Sequence, residues 1–203
     1  MILNIGRTQE GLWTGASKFN DAYSISTGYA QLDQYLPGGG WPLGALTEIL
    51  IENTTEPPIW LVIPALAKLE CEKRWQAWVG PSDIPYAPAL AKSGIDLSKT
   101  LIIHPATYKD KLWTIEQVLG SNACSAVLCW PDKIHSTASR RLQLAAKKSR
   151  SLGVCFFSPG YAQHHTMATL RLLIRPNLQG AEITILKCHS AKPKVSLQLI
   201  RND

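Results

Sequence analysis

Short apolar runs alternate with longer segments of helical spacing along most of the chain. Five runs of four or five residues fit buried strands, because each is apolar and is bounded by glycine, proline or polar residues. These runs cover residues 47–50, 75–79, 100–104, 125–129 and 153–157. Between them lie segments with the apolar period of a helix, residues 59–69, 86–92, 109–119 and 137–151. This alternation is typical of βαβ units with a parallel sheet.

The C-terminal part of the chain has a different pattern. Strand-like runs at residues 170–175, 182–187 and 195–200 follow one another with turn residues between them and no helical segment. Such runs are expected to pair antiparallel at one edge of a sheet. The pattern therefore predicts an α/β fold in which a mainly parallel, twisted sheet is flanked by helices and carries antiparallel strands at its C-terminal edge.

A single domain is predicted for residues 25–203, preceded by an N-terminal arm of residues 1–24. The arm lacks a clear core period, although it contains Trp13 and Phe19. These two aromatic residues are candidate contacts to another protein, and an arm that folds back on its own domain is the alternative.

Composition limits the class of protein. A chain of 203 residues that is 45% hydrophobic and 18% charged fits a globular domain. It has no run of about 18 apolar residues and no signal-peptide pattern, so we expect a cytoplasmic protein without a membrane partner. The five cysteines lack a C-x-x-C pair and are expected to be reduced core thiols. Neither metal-ligand spacing nor a G-x-S-x-G motif occurs, so no catalytic, cofactor-binding or metal-ligating residue is predicted.

The segment at residues 137–151 is predicted to be an amphipathic helix with a basic outer stripe. Its inward positions are Ala138, Leu142, Ala145, Ala146 and Leu152. Its outward cations are Arg140, Arg141, Lys147 and Lys148, with Arg150 at the flank. Several cations on one face can contact single-stranded DNA or an acidic protein surface, and a face that only keeps the protein soluble is the alternative. The net charge of +6 permits a polyanionic partner.

Several sequence blocks resemble known families. The run S-T-G-Y-A-Q-L-D begins at Ser26, and the run P-G-G-G-W-P-L-G-A-L-T-E-I begins at Pro37. Both resemble the opening of the RecA recombinase core, and the second resembles more closely the pattern of ImuA, a RecA-like protein of bacterial damage-induced translesion synthesis. The runs R-W-Q-A-W from Arg74 and C-W from Cys129 are similar to both ImuA and SulA, the SOS-induced division inhibitor. The ImuA resemblance covers nearly the whole chain, whereas the SulA resemblance begins near Leu46.

The resemblance to RecA implies a three-layer core and indicates where a nucleotide site would lie. A phosphate-binding loop of the form G-x-x-x-x-G-K-[ST] would span residues 51–58. The signature positions hold Ile51 and Glu56 for the glycines, Pro57 for the lysine and Pro58 for the hydroxyl residue. Trp130 stands where the strand at 125–129 would be followed by a carboxylate that holds Mg²⁺. The sequence therefore predicts a degenerate RecA-like domain that is not an enzyme and takes no cofactor.

The ImuA resemblance implies a non-catalytic adaptor in the SOS response and in translesion synthesis. The implied partners are RecA and ImuB, an inactive relative of Y-family polymerases, at RecA-coated single-stranded DNA. The basic stretch that contains Lys187, Lys192 and Lys194 resembles the tail of ImuA but lacks its paired arginines and glycines. These lysines are further candidate contacts to DNA or a protein partner. A SulA-like division inhibitor that binds FtsZ and a RecA-like ATPase are the alternatives, and a homo-oligomer is left open.

Overall fold

The strands and helices follow the predicted order. A computed structural model of the protein describes residues 23–52, 57–188 and 195–201. Its strands are β1 (Ser24–Ile25), β2 (Trp41–Pro42), β3 (Ala45–Ile51), β4 (Trp75–Val79), β5 (Thr100–Ile103), β6 (Cys124–Cys129), β7 (Leu152–Phe157), β8 (Leu170–Asn177), β9 (Gly180–Cys188) and β10 (Val195–Ile200). Its helices are α1 (Ala30–Asp33), α2 (Ile63–Leu69), α3 (Ala87–Lys92), α4 (Tyr108–Gly120) and α5 (Ser136–Ser149). Every strand and helix expected from the apolar pattern is present.

The main sheet of the described residues has the strand order β10-β9-β8-β3-β7-β6-β4-β5. β3 pairs parallel with both β7 and β8, and β6, β4 and β5 continue the parallel part. β9 pairs antiparallel with β8, and β10 pairs antiparallel with β9. The prediction of a mainly parallel sheet with antiparallel strands at its C-terminal edge is confirmed. β8 and β9 are longer than predicted, because only Leu178 and Gln179 separate them.

Helices pack on both faces of this sheet, which gives three layers. On one face, called the α2 face, Leu66 of α2 is buried with Ile49 of β3 and with residues of α1 and α3. On the other face, called the α5 face, Leu142 of α5 is buried with Leu50 of β3 and with residues of α4. Successive side chains of a strand point to opposite faces, so β3 is apolar at most positions because both of its faces are covered.

The segment predicted as one helix over residues 59–69 is divided in two. A 3-10 turn at Ile59–Leu61 comes first, and the α-helix begins only at Ile63. Pro64 lies in the first turn of α2 and has no N–H to donate to a carbonyl of the preceding turn. Regular α-helical hydrogen bonding therefore starts later than the apolar period suggests.

The run that begins at Ser26 forms a hydrogen-bonded cap on the α2 face. The carboxylate of Asp33 accepts from the N–H of Thr27 at 2.9 Å and from the hydroxyl of Ser26 at 2.8 Å. Gly28 has a φ of 89°, and a Cβ at this position would lie 2.5 Å from Cβ of Pro64, so a side chain does not fit. Trp41 follows the three glycines and is fully buried. The motif residues of this block therefore have structural roles.

A buried ion pair joins the neighbouring strands β3 and β8. Nε of Arg171 donates to Oε2 of Glu48 at 2.7 Å, and the side chains are 6% and 1% exposed. The hydroxyl of Thr166 donates to the other carboxylate oxygen of Glu48. Nη1 of Arg171 donates to the carbonyls of Ala162 and His164, each at 2.9 Å. The network fixes the segment between β7 and β8 against β3.

Tyr161 lies in the same segment, and both its ring and its hydroxyl contact neighbouring residues. The ring stacks on Phe157 at a centroid distance of 4.0 Å and on His164 at 4.9 Å. The hydroxyl donates to the carbonyl of Ile134. Burial, together with the nearby charge of Glu48, raises the pKa of Tyr161 to about 12. The phenol is therefore held in its neutral form.

The first prediction concerns the buried ion pair. Glu48→Gln should lower the free energy of unfolding by about 3–5 kcal/mol, because the guanidinium of Arg171 is then buried without a countercharge. Urea unfolding followed by circular dichroism measures the change. The matched control is Glu52→Gln, which breaks the exposed pair with Arg175 at the end of the same two strands and should change little. Equal losses in both variants would contradict this account.

A double replacement keeps the first prediction testable if Glu48→Gln fails to fold. Replacing Glu48 and Arg171 together by Met removes both charges and leaves neither buried alone. This variant should regain part of the stability that Glu48→Gln loses. Urea unfolding of the two variants under the same conditions gives the comparison.

The second prediction concerns pH. The unfolded state releases the Tyr161 proton near a pKa of 10, and the folded state retains it until about 12, so this group lowers stability as pH rises through that interval. Tyr161→Phe should be less stable than the natural protein by about 1 kcal/mol at neutral pH, because it loses the hydrogen bond to Ile134. The difference should shrink or reverse by pH 12, since the interval corresponds to at most about 2.7 kcal/mol. Urea unfolding across this pH range measures it, and a constant difference would be the contrary result.

Candidate partner-binding surfaces

The carboxyl ends of parallel strands form the edge at which α/β sheets generally bind ligands. Trp130 directly follows β6 at this edge, at the position where the sequence predicts the loss of a carboxylate. Its ring stacks on Phe156 of β7 at a centroid distance of 4.9 Å and lies 5.9 Å from the ring of Trp78. An aromatic stack, called the Trp130 stack below, therefore occupies the end of β6.

A groove of about 1010 Å³ opens beyond these strand ends. Its walls include the loop after β4 and the turn between β8 and β9. The described lining is largely proline, aromatic and aliphatic, and it includes Pro57, Trp60, Pro81, Tyr86, Trp130 and Pro176. The charged residues among this described lining are Asp83 and Arg201. Ile84 and Leu178, in the two walls, are largely exposed. The groove therefore offers a mixed apolar and polar surface, and Arg201 is the one cation in its described lining.

The positions that would form a phosphate-binding loop are described in part. Residues 53–56, which include Glu56, lie outside the described residues. Ile51, at the first glycine position, is buried as the last residue of β3. Pro57 and Pro58, at the lysine and hydroxyl positions, lead directly into the 3-10 turn at Ile59–Leu61. Neither proline has an N–H that could be donated to a phosphate.

The predicted basic stripe is exposed along α5 and its C-terminal end. Its members Arg140, Arg141, Lys147, Lys148 and Arg150 are all exposed. On the inward side Leu142 and Ala146 are buried, as predicted. The predicted amphipathic orientation of the helix is therefore confirmed, although Ala138 and Ala145 are only partly buried and Leu152 belongs to β7 rather than to the helix.

The surroundings of these cations differ. Nε of Arg141 donates to Oε1 of Glu116 in α4 at 3.1 Å. The guanidinium of Arg150 lies over the ring of Tyr23, 4.8 Å from its centroid. Within the described ranges, no ion pair involves Arg140, Lys147 or Lys148. The basic face therefore contains three cations whose charge is not compensated by a described carboxylate.

Leu144 lies among these cations, and the sequence analysis missed it. The side chain is 57% exposed. Residues 140, 144 and 148 are four positions apart, so their side chains lie on one face of the helix. That spacing is the sequence signal that identifies Leu144 as an outward residue.

The other predicted contact residues are placed differently or fall outside the described residues. Nζ of Lys187 donates to the carbonyl of Thr166 at 3.0 Å, and the side chain is partly buried. Burial lowers the pKa of Lys187, although the charge of Glu48 acts in the opposite direction. Lys187 thus lies beside the buried ion pair, and its contact with a partner stays a prediction. Residues outside the description, whose roles also stay predictions, are Trp13, Phe19, Lys192 and Lys194.

The cysteines are free thiols, and only some of them are core residues. Cys124, Cys129 and Cys155 are buried, whereas Cys71 is exposed. Sγ of Cys129 lies 3.0 Å from Sγ of Cys155, and this hydrogen bond together with burial raises the pKa of Cys155. In the part of the chain that the structure describes, no three His, Cys, Asp or Glu residues are grouped to hold a metal ion. No described helix is long and apolar enough to cross a membrane.

The fold defines an α/β protein whose mainly parallel sheet lies between two helical layers. Sequence comparison gives the family. A family model described as cell division inhibitor SulA matches residues 44–153, which is more than half of the chain. The chain therefore belongs to the SulA family.

SulA, RecA and ImuA proteins are among the relatives that match this chain. SulA of Pectobacterium atrosepticum is 25% identical over 134 residues, which are 65% of this chain and 80% of the relative. RecA of Mycoplasma genitalium is 31% identical over 116 residues, which are 56% of this chain and 33% of the relative. ImuA of Caulobacter vibrioides is 28% identical over 135 residues, which are 64% of this chain and 55% of the relative.

The matches differ in how much of each relative they cover. This chain spans about a third of the length of the RecA relative and about half of the ImuA relative. The SulA and ImuA matches together confirm the predicted resemblance to SulA- and ImuA-like SOS proteins.

The third prediction concerns the Trp130 stack. Trp130→Ala should lower the free energy of unfolding by about 2–4 kcal/mol, because it removes a large ring packed between Phe156 and Trp78. Urea unfolding measures the change. Trp75→Ala is the matched control, since the Trp75 side chain is 40% exposed and its removal should cost much less. A loss at Trp130 no greater than at Trp75 would show that the stack does not support the edge of the sheet.

Proposed function

We propose that this protein is a non-catalytic adaptor of the bacterial SOS response. In this role it links RecA to an ImuB-type relative of Y-family polymerases during damage-induced translesion synthesis. The observation that carries the proposal is the Trp130 stack at the carboxyl ends of β6 and β7. The stack lies at the edge where a RecA-like sheet would hold a nucleotide, in a protein that is similar to both RecA and ImuA.

The chemistry of this edge supports a protein without ATP hydrolysis. Phosphate binding requires backbone N–H donors and a cation, and Mg²⁺ requires oxygen ligands at the strand end. Pro57 and Pro58 have no N–H, and Trp130, the residue that directly follows β6, has no carboxylate. Asp83, which lines the groove, would repel phosphate oxygens. Asp132, in the adjoining pocket, lies 3.9 Å from Nζ of Lys111, so this pair adds no net positive charge. An adaptor needs none of this chemistry, because it acts by raising the local concentration of its partners.

The domain in this proposal is a single degenerate RecA-like unit of residues 25–203, preceded by an arm of residues 1–24. The block from Ser26 supports this division, since Leu32 and Trp41 are buried in the same core as Leu66 of α2. This block is therefore continuous with the sheet and belongs to the domain. The similarity to RecA over 56% of the chain supports a RecA-like core.

A second function is inhibition of cell division by binding FtsZ. It is supported as well as the adaptor function is, because the matching family model is that of SulA. The SulA family model covers residues 44–153, from the start of β3 to the start of β7. Outside this range lie α1, Trp41 and the strands β8, β9 and β10, which contribute many of the buried residues of the α2 face. The match therefore supports the inhibitor function for the central part of the domain and does not address the remainder.

The fourth prediction tests nucleotide chemistry. A nucleotide present at about 100 times its Kd would stabilise the folded state by about 2.7 kcal/mol. ATP with Mg²⁺ at millimolar concentration should leave the thermal midpoint of this protein unchanged. The RecA of Mycoplasma genitalium, treated identically, serves as the positive control. A rise in midpoint that requires both nucleotide and Mg²⁺ would contradict the proposal and support the ATPase alternative.

A binding experiment separates the adaptor from the division inhibitor. The full chain is immobilised and exposed to RecA filaments on single-stranded DNA and to an ImuB-type protein, and the free chain is added to FtsZ in a sedimentation assay. The adaptor should retain RecA or the ImuB-type protein and leave FtsZ sedimentation unchanged. If the chain stops FtsZ sedimentation at near-equal stoichiometry and retains neither other protein, the inhibitor function is correct and the adaptor proposal fails.

A further inference from the structure

The outward face of α5 combines an exposed leucine with cations. Arg140, Leu144 and Lys148 follow one another at intervals of four residues, and Lys147 lies three residues after Leu144, so these side chains share a face. The helix contains no aspartate or glutamate. The charge of this face is therefore positive along its whole length, with an apolar side chain at its centre.

The ion pair between α4 and α5 lies beside this face. Arg141 is compensated by Glu116, so it adds little net charge to the surface. Trp113 lies three residues before Glu116 on α4 and is 61% exposed, and Leu144 lies three residues after Arg141. The two helices run side by side in the same direction, because each follows a strand of the parallel sheet. Trp113 and Leu144 are therefore offset by about six residues along the pair, or about 9 Å.

We infer that this surface, formed by Trp113, Arg140, Leu144, Lys147 and Lys148, docks an acidic amphipathic segment of a partner protein. The apolar side chains of such a segment would cover Leu144 and Trp113. Its carboxylates would lie against Arg140, Lys147 and Lys148. The inference names a docking surface for the proposed adaptor and rests on that function only in requiring a protein partner.

The cations of this surface favour a partner with acidic groups. The exposed side chain of Leu144 favours a protein over a nucleic acid. A nucleic-acid backbone would contact the three cations, and Trp113 can stack on a base. Leu144, however, would then lie against hydrated phosphates and gain little from the contact. Apolar groups that are exposed within a rim of polar residues are typical of protein–protein interaction sites. A face that only keeps the protein soluble needs neither exposed apolar side chain.

The probe for this surface is a fluorescein-labelled peptide of about 16 residues with Glu and Asp on one helical face and Leu and Phe on the other. A second peptide keeps every acidic residue but carries Ser and Gln in place of Leu and Phe. The third probe is an oligothymidylate of about 20 nucleotides, which reports binding to single-stranded nucleic acid. Fluorescence anisotropy with the full chain at low and moderate salt gives the affinity of each probe. The first peptide should bind at least roughly tenfold more tightly than the other two.

Variants assign the binding to this surface. Leu144→Ser should weaken binding of the first peptide roughly tenfold, because it removes the central apolar contact. Lys148→Glu should weaken it roughly fivefold and reduce its salt dependence. The matched controls are Leu97→Ser and Lys92→Glu, which alter an exposed leucine and an exposed lysine outside both this surface and the groove and should leave binding unchanged. Circular dichroism melts confirm that all four variants are folded.

Three results would overturn the inference. The first is the absence of measurable binding of the first peptide, and the second is unchanged binding in Leu144→Ser. The third is tighter binding of the oligothymidylate that is lost in Lys148→Glu and kept in Leu144→Ser, which would assign the surface to nucleic acid. None of these measurements uses RecA, FtsZ or ATP. A failure of the docking surface is therefore distinguishable from a failure of the adaptor function.

Discussion

The buried pair of Glu48 and Arg171 is the interaction on which the arrangement of this domain depends. The two residues face each other directly across β3 and β8, the point where the parallel sheet meets its antiparallel extension. A shift of β8 by one residue would turn Arg171 to the α2 face and leave Glu48 buried without a countercharge. The cost of that state fixes the register of β8. The hairpin partner β9 and then β10 follow from it, because each pairs with the strand before it.

The same pair determines how the chain travels from β7 to β8. Nη1 of Arg171 donates to two carbonyls of this connection, and the hydroxyl of Thr166 donates to the carboxylate of Glu48. Tyr161 is thereby held between Phe157 and His164, next to the end of β7. The segment thus covers the α5 face at the carboxyl end of the sheet, while the Trp130 stack covers the other face. Side chains therefore pack on both faces of the sheet beside this edge, and the groove lies beyond them.

The apolar pattern predicted the strands and helices because it depends on neighbouring residues. The apolar pattern of a strand repeats every two residues and that of a helix every 3.6 residues, so either is visible within about ten positions. The predicted inward side of α5 accordingly agrees with the burial of Leu142 and Ala146. A pairing between residues that are distant in the sequence produces no local pattern of this kind. Glu48 and Arg171 are 123 residues apart, and the stack of Trp130 on Phe156 also joins separate strands. The hydrogen bond of Lys187 to the carbonyl of Thr166 was not predicted for the same reason, because it joins residues that are 21 positions apart.

The family match covers only part of the core, and this limits what can be inferred about this chain from a division inhibitor. The α2 face is a single cluster to which Leu32 and Trp41, before the matched range, and Leu172 and Ile183, after it, contribute together with Leu66. Removing the flanking parts would expose apolar side chains of the matched part to water, so the central and flanking parts are stable only as one unit. Any surface that the family uses in its central part is therefore presented here by a larger domain. The outward face of α5, which lies within the matched range, is the described surface on which a basic and apolar contact is available without disturbing that core.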